Sequence, residues 1–311
     1  MWLDELAAEW GLGDKSGQHA GGAPAPWIAQ AERDHPPQGA FVSVNGVGLH
    51  YLDRGSGRPV VFLHGAAMLA QELFCGPAGA ALAATFRVIA FDRPGYGHSG
   101  RGEGLAGPAA QARLIHGALS RLGVGRPILI GHSWSGALVL HYGLEYPDEV
   151  AGIVSLAGWS FAAHQASLKL LSLLSQGAVE TVMGMPFGPK LARHMAAKGL
   201  EKVFAPNPVP PGYGDLPIEL MIRPSQLRAN ADDLHALNHD IMAIQRQYRR
   251  FEVPLEILVA AEDSVVEPAR HGKRLAAIVP GARLTELPAT GHMLHHAHPE
   301  ALVAAVSRFR D

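Results

Sequence analysis

Cysteine is nearly absent: Cys75 is the only one in 311 residues. A single thiol allows no internal disulfide and no cysteine-built metal cluster, and it fits a reducing compartment. Long apolar runs are missing too. None reaches the roughly 20 residues that a bilayer-crossing helix needs. The first ten residues hold no Lys or Arg, carry Asp4, Glu5 and Glu9, and lack the apolar core of a secretory signal. A cytoplasmic protein without membrane association is expected. Charged residues make up only 17% of the chain, and the formal net charge is -2, so no nucleic-acid partner is expected. No internal repeat is visible. What the chain does have is a 48% hydrophobic content. That is ordinary for a globular protein and enough, at this length, for one large domain with an insertion.

Apolar runs and turn residues set out the organisation. Trp2, Leu3, Leu6 and Trp10 fall at helical spacing, and a Gly/Ala/Pro-rich linker follows, so residues 1–38 read as a short helix plus linker, docked on the chain's own body. Asn45-Gly46 between Phe41–Val44 and Leu49–Leu52 is a hairpin signal. Val60–Leu63 is a short continuous apolar run of the kind buried parallel strands show, and Val88–Phe91, Ile128–Ile130 and Ile153–Leu156 read as the next strands. Helical stretches at Leu73–Ala84 and Gln111–Leu122 alternate with them. From Trp159 to Arg250 the alternation stops. Helices are expected at Ser167–Leu174, Lys190–Val203 and Ala231–Tyr248, around a Pro-rich section, Ala205–Gly212. Strands resume at Leu255–Val259 and Ala282–Leu287, with helices at Ala269–Ile278 and Pro299–Arg310. The expected architecture is an α/β fold with a mostly parallel central sheet and helices on both faces. Its core spans 39–158 and 251–311, and a helical cap spans 159–250.

Pro127–Gly136 is the stretch that carries chemistry. A strand runs into Gly131-His132-Ser133-Trp134-Ser135-Gly136 and then a helix. A serine on so sharp a strand-to-helix turn needs small residues two before and two after it, here Gly131 and Ser135, and this is the pattern of a nucleophile elbow. Ser133 read alone also suits a helix N-cap. Ser135 is a weaker nucleophile candidate, because it lies a half-turn into the helix. A serine hydroxyl needs a base, and the base needs a partner that holds its tautomer. Asp263, in the loop after Leu255–Val259, is preferred as that partner over Glu262 and Glu267. His292, on the loop before the last helix, is the candidate base. His295, His296 and His298 lie close by and raise the question of a metal. No Cys or acidic residue near them in sequence completes a ligand motif, so a solvated or helix-capping role is expected, with no metal and no cofactor. The backbone N–H groups of Trp134 and Ala66 are the candidate oxyanion donors, Gly65 making the turn before Ala66 possible.

The order Ser133, Asp263, His292, together with His64-Gly65, Asp92-Arg93-Pro94-Gly95-Tyr96-Gly97-His98-Ser99 and Gly291-His292, resembles the α/β-hydrolase superfamily over about Phe41 to Phe309. Phe204-Ala205-Pro206, Arg223–Ala229 and Gly291-His292-Met293 are similar to a bacterial subgroup of general, esterase-like hydrolases of that fold. The resemblance implies hydrolysis through an acyl-enzyme with Ser133, Asp263 and His292 as the triad. A serine at the elbow sets the chain apart from dehalogenases and epoxide hydrolases of this fold, which use a carboxylate. Leu168 to Phe187 make the first part of the cap apolar, and His64, Met68, Trp159 and Phe161 are pocket candidates, with Trp134 beside them. No Lys/Arg cluster points to an anionic substrate. A modest-sized, apolar-sided small-molecule ester, thioester or lactone is therefore expected. The same residues also suit C–C or peptide-bond hydrolysis or cofactor-free oxidation, and the fold suits a non-catalytic ligand-binding protein.

Overall fold

The computed structural model describes residues 26–162 and 188–309. Eight strands form one sheet: β1 (Ala40–Val44), β2 (Val47–Arg54), β3 (Pro59–Leu63), β4 (Arg87–Phe91), β5 (Ile128–His132), β6 (Gly152–Leu156), β7 (Leu255–Ala260) and β8 (Arg283–Leu287). Their spatial order is β1-β2-β4-β3-β5-β6-β7-β8. β1 and β2 pair antiparallel, as do β2 and β4, and every later pairing is parallel. The β1–β2 turn is tight because Asn45 (φ 50°) and Gly46 (φ 81°) are both left-handed, as the favoured two-residue hairpin turn requires.

The continuous apolar runs are explained by burial on both faces. Val61 and Leu63 of β3 pack with Ile115 and Leu119 of α3 (Pro108–Arg121) and with α4 (Ser135–Glu145). Val60 and Phe62 point the other way, toward α2 (Pro77–Ala83) and α10 (Pro299–Ser307). The expected helix Leu73–Ala84 is split into a 3-10 turn (Ala70–Phe74) and α2. Pro77 has no N–H to continue the first piece and starts the second at its first turn.

Between β6 and β7 the described part of the insertion is helical: α5 (Gly188–Phe204), the short α6 (Ile218–Met221) and α7 (Pro224–Ile244). α7 begins seven residues before the expected Ala231, again on a proline at its first turn. Phe204, Tyr213, Leu216 and Met221 pack with Leu69 and Met293, so the insertion sits on the loop after β3 and beside His292. α8 joins a π turn (Ala269–Lys273) to Arg274–Ile278, and the short α9 (Leu294–Ala297) precedes α10. Helix α1 (Pro26–Asp34) falls where a linker was expected, and Glu32 pairs with Arg223 at 2.7 Å. The expected helices at Trp2–Trp10 and Ser167–Leu174, and the apolar section Leu168 to Phe187, lie outside the described residues. No helix among the described residues is long and apolar enough to cross a membrane.

The connection from β3 goes to β4 on one side, and the chain then returns across β3 to β5 on the other. Ligand sites in open parallel sheets form at such a reversal, outside the carboxyl ends of the strands. The loops carrying Gly65 and Ser133 flank that crevice.

Candidate active site

Ser133 directly follows β5 and has φ 54°. A left-handed serine is held only where its surroundings over-determine it. Here its N–H donates to Leu156 O at 3.0 Å, and its carbonyl accepts from Gly136 N at 2.9 Å and Trp159 N at 3.0 Å. Gly131 is obligatory, because a Cβ there would collide with the Ser135 carbonyl. Ser135 does more than stay small. Its hydroxyl is fully buried and donates to His64 O at 2.6 Å, which ties the elbow helix to the end of β3.

Asp263 and His292 come together from 29 residues apart: Asp263 Oδ2 lies 2.7 Å from His292 Nδ1. Asp263 Oδ1 accepts from the N–H groups of Val265 (2.8 Å) and Val266 (2.9 Å), which fixes the carboxylate plane. Glu262 and Glu267 are exposed and take no part in this pair. With Nδ1 engaged, Nε2 is the His292 nitrogen left to exchange a proton. Ser133, Asp263 and His292 are all buried and follow β5, β7 and β8 at one sheet edge.

Gly65 lies against the elbow. A Cβ at that position would stand 2.9 Å from Ser133 Cβ and 3.5 Å from Oγ. Arg93, fully buried, holds this loop from behind by donating to His64 O at 3.1 Å and Gly65 O at 3.2 Å. Its guanidinium lies between the rings of Tyr96 (4.3 Å) and Trp134 (4.1 Å). Asp233 of α7, also fully buried, takes its charge at 2.6 Å and accepts as well from Arg101, Tyr96 and Gln111. Removing one partner of a buried ion pair strands the other charge. Asp233→Ala is therefore expected to cost about 3–5 kcal/mol of folding stability. Urea unfolding checks this, and a loss below about 1 kcal/mol would contradict it.

Three expectations about side chains change. His64, expected to line a pocket, is fully buried: its Nδ1 donates to Gly65 O at 2.8 Å and its Nε2 accepts from Arg93 N at 3.0 Å. Burial, then Arg93, depresses its pKa to about 3, so it is a neutral strut. Trp134 is likewise a core side chain: it is buried, with its indole N–H donating to Asp233 O at 3.1 Å. His295 and His296 are neither solvated nor helix caps. Both are buried and face Glu72 from the loop after β3, an acidic neighbour 223 and 224 residues away in sequence. Glu72 left one signal, its helical spacing with Leu69 and Leu73 on an inward face. Of the remaining pocket candidates, Trp159 packs on His271 (4.8 Å), and Phe161 lies between Arg274 (4.1 Å) and Tyr248 (5.5 Å). Met68 keeps partial exposure. Cys75 is buried, which pushes its thiol up to about 12 and leaves it inert.

Known proteins share this arrangement of chain. A 2-hydroxy-6-oxo-6-phenylhexa-2,4-dienoate hydrolase of Burkholderia cepacia is 26% identical over 285 residues, covering 84% of this chain and 92% of its own. Haloalkane dehalogenase 2 of Mycobacterium tuberculosis is 24% identical over 273 residues, covering 83% and 90%. An esterase from Exiguobacterium antarcticum, 20% identical, superposes with a TM-score of 0.71 over 88% of this chain and 100% of its own, which is a likeness of fold. The profile described as "alpha/beta hydrolase fold" matches residues 58–299, from the start of β3 to the start of α10, so the stretch that builds the elbow, the Asp263–His292 pair and the Gly65 loop places the chain in the alpha/beta hydrolase family.

Proposed function

We propose that the protein is a serine hydrolase that cleaves a modest-sized, apolar-sided carboxylic ester, thioester or lactone through an acyl-enzyme. The observation that carries this reading is the left-handed Ser133 at the end of β5, on the same sheet edge as the 2.7 Å Asp263–His292 pair. Ser133 Oγ attacks the carbonyl carbon as its proton passes to His292 Nε2. Asp263 keeps the His292 Nδ1–H in place and stabilises the imidazolium. That proton then goes to the leaving alkoxide as the C–O bond breaks, or to the leaving thiolate as the C–S bond of a thioester breaks. Water, deprotonated by the same nitrogen, releases the acid and restores Ser133.

Peptide planarity supports Ala66 as an oxyanion donor. The Gly65 carbonyl is held by Arg93 and His64, and the Ala66 N–H lies antiparallel to it across the same trans peptide. That N–H therefore points away from Arg93. Trp134 N–H, next to the nucleophile, is the second donor. Helices 188–250 over this edge act as the cap. A hydroxyl nucleophile separates the reading from carboxylate-based dehalogenation despite the relative of that name. The dienoate hydrolase among the relatives favours one second reading, C–C bond hydrolysis by the same residues.

A fluorophosphonate probe is expected to label Ser133 in the folded protein, with mass spectrometry of the peptide locating the adduct. A panel of nitrophenyl esters, thioesters and lactones of graded acyl length, run beside a dienoate, assigns the bond. Absence of both labelling and ester turnover would overturn the proposal. Turnover of the dienoate alone would replace it with the second reading.

A further inference from the structure

Three parts of the molecule meet at one buried carboxylate outside the Asp263–His292 pair. Glu72, on the 3-10 turn after β3, is fully buried. Its Oε2 accepts the Tyr213 hydroxyl of the insertion at 2.8 Å, His296 Nε2 at 3.1 Å and His295 Nε2 at 3.3 Å. Its Oε1 has no partner among the described residues. Burial opposes the charge on Glu72, but the two imidazoles, His295 first, outweigh it and hold the carboxyl well below its usual range. Burial, then His296, depresses His295 to about 4. At neutral pH a carboxylate anion and a neutral His295 face each other.

A divalent cation is the other occupant these residues suggest, since their ligand atoms all lie within 4.8 Å of one another. The tautomers argue for hydrogen bonds instead. A metal on both Nε2 atoms requires a proton on each Nδ1, and ligating histidines pass that proton to an acceptor. Neither Nδ1 has a partner among the described residues, and His296 Nδ1 lies so close to Gly76 that a Cβ there would collide with it. A proton on each Nε2 is instead taken up in a hydrogen bond to Glu72.

The cluster is continuous with His292. Ring centroids run 4.1 Å from His296 to His295, 4.7 Å on to His132, and 4.8 Å on to His292. His132 Nε2 donates to the His292 carbonyl at 3.2 Å. On the insertion side, Asn207 Oδ1 accepts from Gly291 N at 3.0 Å, so the loop before His292 is tied to the same part of the insertion as Tyr213.

We propose that Glu72 is a positioning residue for the hydrolase site: its three hydrogen bonds fix the His292 loop, the Gly65–Ala66 loop and the cap relative to one another. This rests on the serine-hydrolase reading above. The reaction needs these three parts in register, and misplacement by about 1 Å costs rate on the order of a hundredfold.

The test uses the full chain with Glu72→Ala, Glu72→Gln and Tyr213→Phe. Because all three donors meet at Oε2 and Oε1 has no partner among the described residues, glutamine can keep every one of these hydrogen bonds with its carbonyl and place its NH2 where Oε1 lies, losing only the charge. Glu72→Ala is expected to lower kcat on a nitrophenyl ester about 10- to 100-fold with KM nearly unchanged. Glu72→Gln should restore most of that loss, and Tyr213→Phe should mainly raise KM. The downfield proton NMR resonance of the His292–Asp263 hydrogen bond should persist in the Gln and Phe variants and be lost with alanine. Wild-type kcat in Glu72→Ala would overturn the proposal. So would equal losses in the Ala and Gln variants, or one equivalent of tightly held transition metal in the purified protein. If Glu72→Ala does not fold, His296→Phe deletes one donor and keeps the ring. A roughly tenfold fall in kcat then supports the proposal, and wild-type kcat overturns it. A wild type that neither turns over esters nor takes the fluorophosphonate defeats the hydrolase reading, and the NMR arm then decides on Glu72.

Discussion

Ser133→Ala is expected to lower kcat for ester hydrolysis by about 10,000-fold or more and to leave the fold in place. The variant removes one oxygen. The three backbone hydrogen bonds that hold residue 133 at φ 54° use its N–H and C=O, which alanine keeps. The Cβ that fits against Gly65 is kept as well. The effect should therefore fall on chemistry alone. His292 loses the proton it would take, and no covalent intermediate can form. Residual turnover would come from oxyanion donors acting on a bound substrate. Steady-state kinetics paired with a thermal melt checks both halves. An alanine variant within tenfold of wild type would sink the proposed nucleophile. Ser135 is not a ready substitute, because its hydroxyl is buried and committed to His64 O.

The second large effect is on stability in acid. Burial is the leading cause that lowers the pKa of His64 to about 3, and of His271 and His295 to about 4 each. The secondary causes are Arg93, Arg270 and His296 respectively. Their nitrogens are used accordingly: His64 Nε2 accepts from Arg93 N, and His271 Nδ1 accepts from Ser160 N at 3.2 Å. Released by unfolding, each takes up a proton near pH 6.5. Below that pH the unfolded chain binds more protons than the folded one, so stability falls as pH falls, until the folded values near 4 and 3 are reached. At pH 5 each group contributes about 2 kcal/mol to this loss, 1.5 pH units below its unfolded value. Together they approach the whole stability of an ordinary domain. Urea unfolding at pH 7, 6 and 5 should show a drop of several kcal/mol. A flat profile over that range would mean that these rings are not held neutral by the fold.

Short, mainly apolar runs made β3 to β6 legible in the sequence, because strands buried on both faces leave no other pattern. The shared placement of Ser133, Asp263 and His292 at one sheet edge was legible for a related reason. Each lies on the loop that follows a strand, and parallel strands bring such positions to one edge whatever their separation along the chain. Side-chain pairings across that separation were not legible. Asp233 shares a helical face with Asn230, Leu234 and Leu237, but nothing near it indicates that Arg93, 140 residues earlier, is its partner. Glu72 and His295 are 223 residues apart. Helix α1 was missed because it is only nine residues long and polar on average, and it is held by its contact with the insertion, Glu32 with Arg223.

Gly136 bears on how such chains are recognised. A Cβ at Gly136 would collide with Gly158, and one at Gly131 with the Ser135 carbonyl, so the two immovable glycines stand two before and three after the serine. Position 135 between them tolerates a hydroxymethyl group and uses it. A search pattern that insists on glycine two after the nucleophile would pass over this chain. One written as glycine, any residue, serine, any residue, small residue, glycine would admit it. Ser135→Gly would restore the commoner spelling and cut the link from the elbow helix to the strand beside it.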